Sequence, residues 1–227
     1  MSARRPPGAP AAPVVIAIDG PAASGKGTLA KRLARHFGYA YLESGRLYRA
    51  VAAKVLDAGL DPSDEAGATR VAQHLVAEDF KHPSLYDETT TKAASRVAAY
   101  GGVRAALLRF QRDFATRPPD DAPGVVIDGR DIGTKVCPDA DHKLYLTASA
   151  EIRAERRVGQ LRDQGREAIY QRVLADIQDR DRQDETRRHS PLARAQDAHL
   201  LDTSALDADQ VFMRALALID ADLKPAD

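Results

Sequence analysis

The chain is predicted to adopt an α/β fold, a central parallel sheet of about five strands flanked by helices. Three observations carry this. Compact apolar runs recur at residues 14–18, 125–128 and 143–147, the composition of strands buried on both faces. The segments between them place apolar residues three and four apart, the spacing of amphipathic helices. The first run also leads through a glycine-bounded loop into a helix, the order that builds parallel sheets.

Taken in order, residues 14–18 (V-V-I-A-I) form the first strand. Residues 26–37 form a helix with Leu29, Ala30, Leu33, Ala34 and Phe37 on one face, closed by Gly38. A short strand over 39–42 is followed by a helix that starts at Ser44 or Gly45 and ends at Gly59. Residues 61–91 are polar and carry one expected helix near 66–77. The stretch 92–116 is helical up to the Pro118–Pro119 pair, with Gly101 and Gly102 expected to break it. Strands at 125–128 and 143–147 precede arginine-rich helices at 150–164 and 167–183, separated at Gly165. Residues 199–201 form the last strand, and Asp207 caps a closing helix that buries Val211, Phe212, Ala215, Leu216 and Ile219.

Composition narrows the class. The chain has 227 residues, enough for one large domain over residues 14–227. Lysine plus arginine and aspartate plus glutamate are equal at 33 each, so no nucleic-acid or membrane partner is expected. One cysteine, Cys137, excludes an internal disulfide and fits a reducing cytoplasm. Residues 1–13, rich in proline and alanine, are expected to be a disordered tail, and no run approaches the ~20 apolar residues of a membrane span.

The most informative segment is Gly20-Pro21-Ala22-Ala23-Ser24-Gly25-Lys26-Gly27-Thr28. Backbone N–H groups in such a loop converge with the free N–H groups of the following helix, which makes a cradle for phosphates. Gly20 and Gly25 can take positive φ there, and Lys26 brings a compact charge to the β/γ-phosphates. The strict P-loop pattern has Ser or Thr straight after the lysine; here Gly27 intervenes before Thr28. A second constellation closes the strand 125–128: Gly129, Arg130 and Asp131 sit where parallel sheets bind ligands. Arg130 is suited to clamp a phosphate and Asp131 to accept from an exocyclic amine, the alternative being an ion pair that steadies a turn. A third set, Arg180, Asp184 and Arg187, shares one helix face, so two guanidiniums flank one carboxylate. A solvated face with pairs worth ~0.2–0.5 kcal/mol each is the competing explanation.

Together these segments resemble the bacterial cytidylate kinases, P-loop nucleoside monophosphate kinases acting on CMP and dCMP. The matching pieces are I-A-I-D-G-P-A-A-S-G-K-G-T from Ile16, E-S-G-R-L-Y-R-A from Glu43, A-A-S-R-V-A from Ala93 and V-R-A-A-L-L-R-F-Q-R from Val103. They continue with V-I-D-G-R-D-I-G-T from Val126, R-D-x-x-D-x-x-R from Arg180, S-P-L-A-R-A-Q-D-A from Ser190 and L-D-T-S from Leu201. The resemblance implies ATP-dependent phosphorylation of CMP, with magnesium held by ATP and waters rather than by protein ligands. It assigns residues 20–28 to ATP, Ser95, Arg104 and Asp131 to cytosine, and Arg49, Arg130 and Arg187 to the CMP phosphate. Arg180 and Asp184 would hold the ribose, and Ser44 joins the CMP site. Lys26, Arg130 and the lid arginines Arg153, Arg156 and Arg157 would stabilise the transferring phosphoryl group. A monophosphate-binding region over about 44–117, a lid over about 150–166 and a monomer are expected. Two features depart from the family: Glu43 stands where aspartate is usual, and residues 78–92 are shorter than many bacterial members carry. The rival readings are a P-loop kinase for another small acceptor and a nucleotide-sensing module without phosphotransfer.

Overall fold

The structure is a computed structural model and describes residues 12–222. The tail expected over 1–13 lies outside that range except for its last two residues. Five strands form one parallel sheet: β1 (Val14–Asp19), β2 (Ala40–Glu43), β3 (Gly124–Gly129), β4 (His142–Thr147) and β5 (His199–Asp202), in the order β2-β3-β1-β4-β5. Because β1 is central and the chain leaves it first to one side and later to the other, the C-terminal ends of β1 and β3 face a common crevice.

Strand alternation divides the core between the two sheet faces. Ile16 and Ile18 of β1 pack with Val126, Leu144 and Leu146 against α1 (Lys26–Phe37) and, across it, α8 (Ala208–Asp222). Ala17 points the other way with Val125 and Ile127, and there the core is closed by Ala115. Ala115 belongs to α5 (Gly101–Thr116). Full burial of each large aliphatic side chain contributes ~1.5–3 kcal/mol. Two further apolar clusters stand off the sheet. One joins α2 (Ser44–Asp57), α3 (Glu65–Gln73), α4 (Glu88–Val97) and α5 through Leu47, Val51, Ala68, Val97, Val103 and Leu107. The other joins α6 (Ala150–Asp163) and α7 (Tyr170–Thr186) through Ala154, Val158, Val173 and Ile177.

The expected Asp207 cap is present: its Oδ1 accepts from the Asp209 and Gln210 N–H groups at 2.9 and 2.8 Å. Gly101 and Gly102 depart from their expected part. The break falls at residues 98–100, and the glycines begin α5. A Cβ on Gly102 would lie 2.5 Å from Thr69 Oγ1, so close packing on α3 explains that glycine. The segment after α3 forms two 3-10 turns, Ala77–Lys81 and Pro83–Tyr86. A π-helical turn, Ile132–Val136, follows Asp131 and was not foreseen.

Candidate active site

The phosphate loop leaves the end of β1 with the backbone its sequence requires. Gly20 has φ 150°, Ala23 φ 59° and Gly25 φ 90°. A Cβ on Gly20 would collide with the Leu146 carbonyl oxygen. Lys26 is buried, and its Nζ donates to the Pro21 carbonyl at 3.0 Å. Burial lowers its pKa, as does the Arg130 guanidinium, against the opposing pull of Asp128. Ser24 Oγ is buried without a hydrogen-bond partner. The loop is clasped from outside by Thr203, whose hydroxyl donates to the Ser24 carbonyl at 3.1 Å.

The second constellation folds around Asp19, the last residue of β1. Its carboxylate accepts from the Ile132 and Gly133 N–H groups, both at 2.8 Å, which fixes the π-helical turn and presents Arg130 and Asp131. Burial nonetheless raises the Asp19 pKa to about 7, opposed by those two N–H bonds. Asp131 is paired with Arg104, Nη2 to Oδ2 at 2.5 Å, while Arg104 Nη1 donates to the Ala98 carbonyl at 2.8 Å. The Arg104 guanidinium lies 5.3 Å from the ring centre of Tyr48. Ser44 is buried against Gly129, where a Cβ would come within 2.5 Å of the Ser44 hydroxyl. Ser95 is half-buried in the last turn of α4, its hydroxyl 3.4 Å from the Thr91 carbonyl.

Asp184 does lie between two guanidiniums, but one of them differs from the expected pair. Arg130 Nε donates to its Oδ2 at 2.8 Å and Arg187 Nη1 to its Oδ1 at 3.3 Å. Arg180, one turn earlier, makes no hydrogen bond or ion pair among the described residues, and its Nε is buried without a partner. Burial lowers the Arg180 pKa to about 10, helped by the neighbouring Arg130. Arg187 Nη2 is likewise unpartnered. Burial would raise the Asp184 pKa, yet Arg130, Arg180 and Arg187 hold it below the ordinary carboxylate value.

The three lid arginines do not share one environment. Arg153 is buried, bidentate with Asp181 at 3.0 and 2.6 Å, and also donates to the Ala148 and Ala22 carbonyls. Arg156 donates to Thr203 Oγ1 at 2.9 Å and to the Thr203 and Leu206 carbonyls. Both therefore brace the phosphate loop from behind, because Ala22 belongs to the loop and Thr203 holds its Ser24. Among the described residues Arg157 bonds only to Gln160, and burial together with Arg166 and Arg49 lowers its pKa. Arg49 is paired with Glu43 at 2.8 Å.

Sequence reasoning assigned nothing to Asp19, Asp128, Tyr48, Asp181 or Thr203. Asp128, the next-to-last residue of β3, is buried beside the loop, 3.9 Å from where Gly27 would carry a Cβ, and accepts from the Tyr41 hydroxyl at 2.9 Å. Burial raises its pKa against the pull of Lys26. An apolar strand ending in a carboxylate beside the loop strand was the available signal.

The comparisons with known proteins agree with this geometry. A family model described as cytidylate kinase matches residues 16–221. The cytidylate kinase of Paramagnetospirillum magneticum is 56% identical over 205 residues, covering 90% of this chain and 97% of that protein. The cytidylate kinase of Rhodospirillum rubrum is 50% identical over 206 residues, covering 91% and 97%. Among solved structures, an uncharacterized protein from Eubacterium ventriosum aligns with TM-score 0.53 at 14% identity, covering 92% of this chain and 99% of that one. TT1252 from Thermus thermophilus aligns with TM-score 0.50 at 21% identity, covering 94% and 100%. These two bear on the fold alone. With its motifs in order along a parallel sheet and a family match over nearly the whole chain, this protein belongs to the cytidylate kinase family.

Proposed function

We propose that the crevice binds ATP on the phosphate loop and CMP on the Arg104–Asp131 and Arg130–Asp184–Arg187 sets, and transfers the γ-phosphoryl group directly between them. The observation that carries this reading is an anion site left incomplete: Arg180 and Arg187, both beside Asp184, hold unpartnered buried nitrogens, and Arg180 is close enough to Lys26 and Arg130 for their charges to interact. A cation cluster of this kind is costly without anions and complete with two polyanionic substrates.

The chemistry needs no covalent enzyme intermediate. An oxygen of the CMP phosphate forms the new bond to Pγ while the bond from Pγ to the bridging β–γ oxygen breaks, and ADP leaves. A phosphate monoester has lost its second proton above about pH 6, so the attacking oxygen needs no general base. The protein's part is positioning and charge stabilisation. Residues 20–28 hold the ATP phosphates and Lys26 stabilises charge on the transferring group. Arg49, Arg130 and Arg187 take the CMP phosphate, and Arg180 with Asp184 the ribose. Ser44 lines the same site. Arg104 donates and Asp131 accepts at the cytosine edge, with Ser95 beside them, a pattern that N4–H₂ satisfies and uracil O4 does not.

The α2–α5 unit is read as the monophosphate-binding region and about 150–166, α6 and the turn after it, as the lid that excludes water. Arg157 is its phosphoryl-facing arginine, while Arg153 and Arg156 act by positioning the loop. Magnesium accompanies ATP and, when bound, neutralises charge between the β- and γ-phosphates. The buried Asp128 carboxylate beside the loop, and Thr28 at its end, would orient the waters of that ion. The protein is read as a monomer. No helix among the described residues is long and apolar enough to cross a membrane, and the single, half-buried Cys137 suits the cytoplasm.

A coupled assay of CMP, dCMP, UMP and AMP with ATP and magnesium tests the reading. CMP and dCMP turnover is expected to exceed the others. Equal use of UMP would remove the Arg104–Asp131 assignment, and ATP hydrolysis without transfer would remove the acceptor site.

A further inference from the structure

Arg49 is held in a way that none of the motifs explains. Its Nη1 donates to Glu43 Oε1 at 2.8 Å, and its guanidinium carbon lies 4.8 Å from the ring centre of Tyr86. The Tyr86 hydroxyl donates to the other Glu43 oxygen, Oε2, at 3.0 Å. One carboxylate thus ties the arginine and the aromatic ring that covers it into a closed set. Gly45 leaves the room, since a Cβ there would lie 3.0 Å from Arg49 Nη1. Only one of the five guanidinium N–H groups has a hydrogen-bond partner among the described residues, so the seat fixes Arg49 without saturating it.

Tyr86 reaches this position because residues 77–86 are clamped along α2. Arg46 donates to the Phe80 carbonyl at 2.9 and 2.5 Å. Lys54 pairs with Asp79 at 2.8 Å, and His82 Nε2 lies 2.8 Å from Asp57. Leu85, 2% exposed, packs on Ala50 and Ala53. The neighbouring residue of the same short turn is therefore anchored in the core while Tyr86 itself is half exposed at the crevice, with 52% of its surface free.

We propose that Tyr86 and Glu43 are positioning residues for the acceptor: they seat Arg49 so that its free N–H groups meet the CMP phosphate on arrival. This rests on the reading that Arg49 binds that phosphate. A seated arginine loses less rotamer freedom on binding, which improves affinity for the phosphate and leaves recognition of the nucleoside alone. The segment between α3 and α4 so acquires a part in phosphate capture.

The test is isothermal titration of the full chain with CMP and with cytidine, which lacks the phosphate, for the parent, Tyr86→Ala, Tyr86→Phe and Arg49→Ala. Tyr86→Ala is expected to weaken CMP binding about three- to tenfold, the scale of a partly exposed cation–π contact, with cytidine and the KM for ATP unchanged. Tyr86→Phe, which keeps the ring, should recover most of the loss. If Arg49→Ala weakens CMP but Tyr86→Ala binds it like the parent, the seat is overturned and the phosphate role of Arg49 stands. If Arg49→Ala also binds CMP like the parent, the underlying reading falls and the seat with it. Equal losses for CMP and cytidine in Tyr86→Ala would mean general damage to the pocket and would equally overturn the proposal.

Discussion

Arg153 and Arg180 lie on adjacent helices of the same arginine-rich stretch, yet they are opposites. Arg153 is surrounded by acceptors: both oxygens of Asp181 and the Ala148 and Ala22 carbonyls. Arg180 is half-buried and has none among the described residues, and its Nε is shut off from solvent. A guanidinium whose three nitrogens all find acceptors within the protein contributes rigidity, whereas one left without partners is held ready for something absent. Ten arginines fall between Arg153 and Arg188, and their packing sorts them between these two tasks.

The most direct way to break this contrast is to remove the cations that the protein answers least: Arg180, and Lys26 with its single carbonyl partner. Lys26→Ala and Arg180→Ala are each expected to lower kcat/KM for phosphotransfer by ~10²–10³-fold, the scale of losing one charge-stabilising donor. Their melting temperatures should match or exceed the parent's, because a buried charge short of partners is itself destabilising. Activity within a few-fold of the parent would take either residue out of the mechanism.

Arg153→Ala should do the reverse. It strands the Asp181 carboxylate, which is only 16% exposed, at a cost of about 3 kcal/mol. For a chain of this length that is a fall of roughly 6–12 °C in melting temperature. Substrate-saturated kcat well below the melting point should fall much less than for Arg180→Ala. Thermal melts beside steady-state kinetics separate the two, and a kinetic collapse with an unchanged melt would return Arg153 to the transferring group.

These contrasts also show what the sequence could disclose. The phosphate loop was legible because its chemistry is local: strand, glycines, lysine and helix follow one another within residues 14–37. Arg130 and Asp131 were legible because a strand end in a parallel sheet is a binding position whatever surrounds it. The destinations of the arginines were not. Arg153 meets a carboxylate 28 positions away and a loop carbonyl 131 positions away, and Asp184 takes Arg130 from another element in place of Arg180 on its own helix. The π-helical turn was hidden for the same reason, since it rests on Asp19, 113 positions from Ile132. Residues 77–86 show no periodicity because their short turns are held by side-chain clamps to α2, Arg46 to Phe80 and Lys54 to Asp79 among them.

A smaller effect sharpens the contrast on the acceptor side, where Asp131 has one oxygen answered by Arg104. Asp131→Asn keeps the shape and removes the charge that would accept from cytosine N4. A charge-assisted hydrogen bond is worth ~1.5–3 kcal/mol, so the CMP/UMP ratio of kcat/KM should fall roughly ten- to hundredfold. An unchanged ratio would confine the Arg104–Asp131 pair to fixing the turn.

The smallest expected signal is a proton. Burial and Arg130 lower the pKa of Lys26 in the free protein, below the ordinary lysine value of ~10.4. Between those two values the native chain binds fewer protons at Lys26 than the unfolded chain does. The contribution of Lys26 to stability therefore rises with pH across that window and is least favourable below it. ATP reverses the local field: its phosphates favour the charged amine, so the pKa climbs and binding takes up a proton. At pH 8 the phosphates have already lost theirs, with a second pKa near ~6, so uptake at that pH reports on the protein. Titration with ATP, without magnesium, in two buffers of different ionisation enthalpy should show an uptake of up to about one proton per site. Lys26→Met should abolish it. Because Arg180 also faces the crevice but stays charged at pH 8, with its pKa near 10, Arg180→Ala should weaken ATP or CMP binding and leave the proton count nearly intact. A binding heat independent of buffer in the parent would show that Lys26 is fully protonated before ATP arrives, and that its burial is better compensated than Asp128 and the Pro21 carbonyl account for.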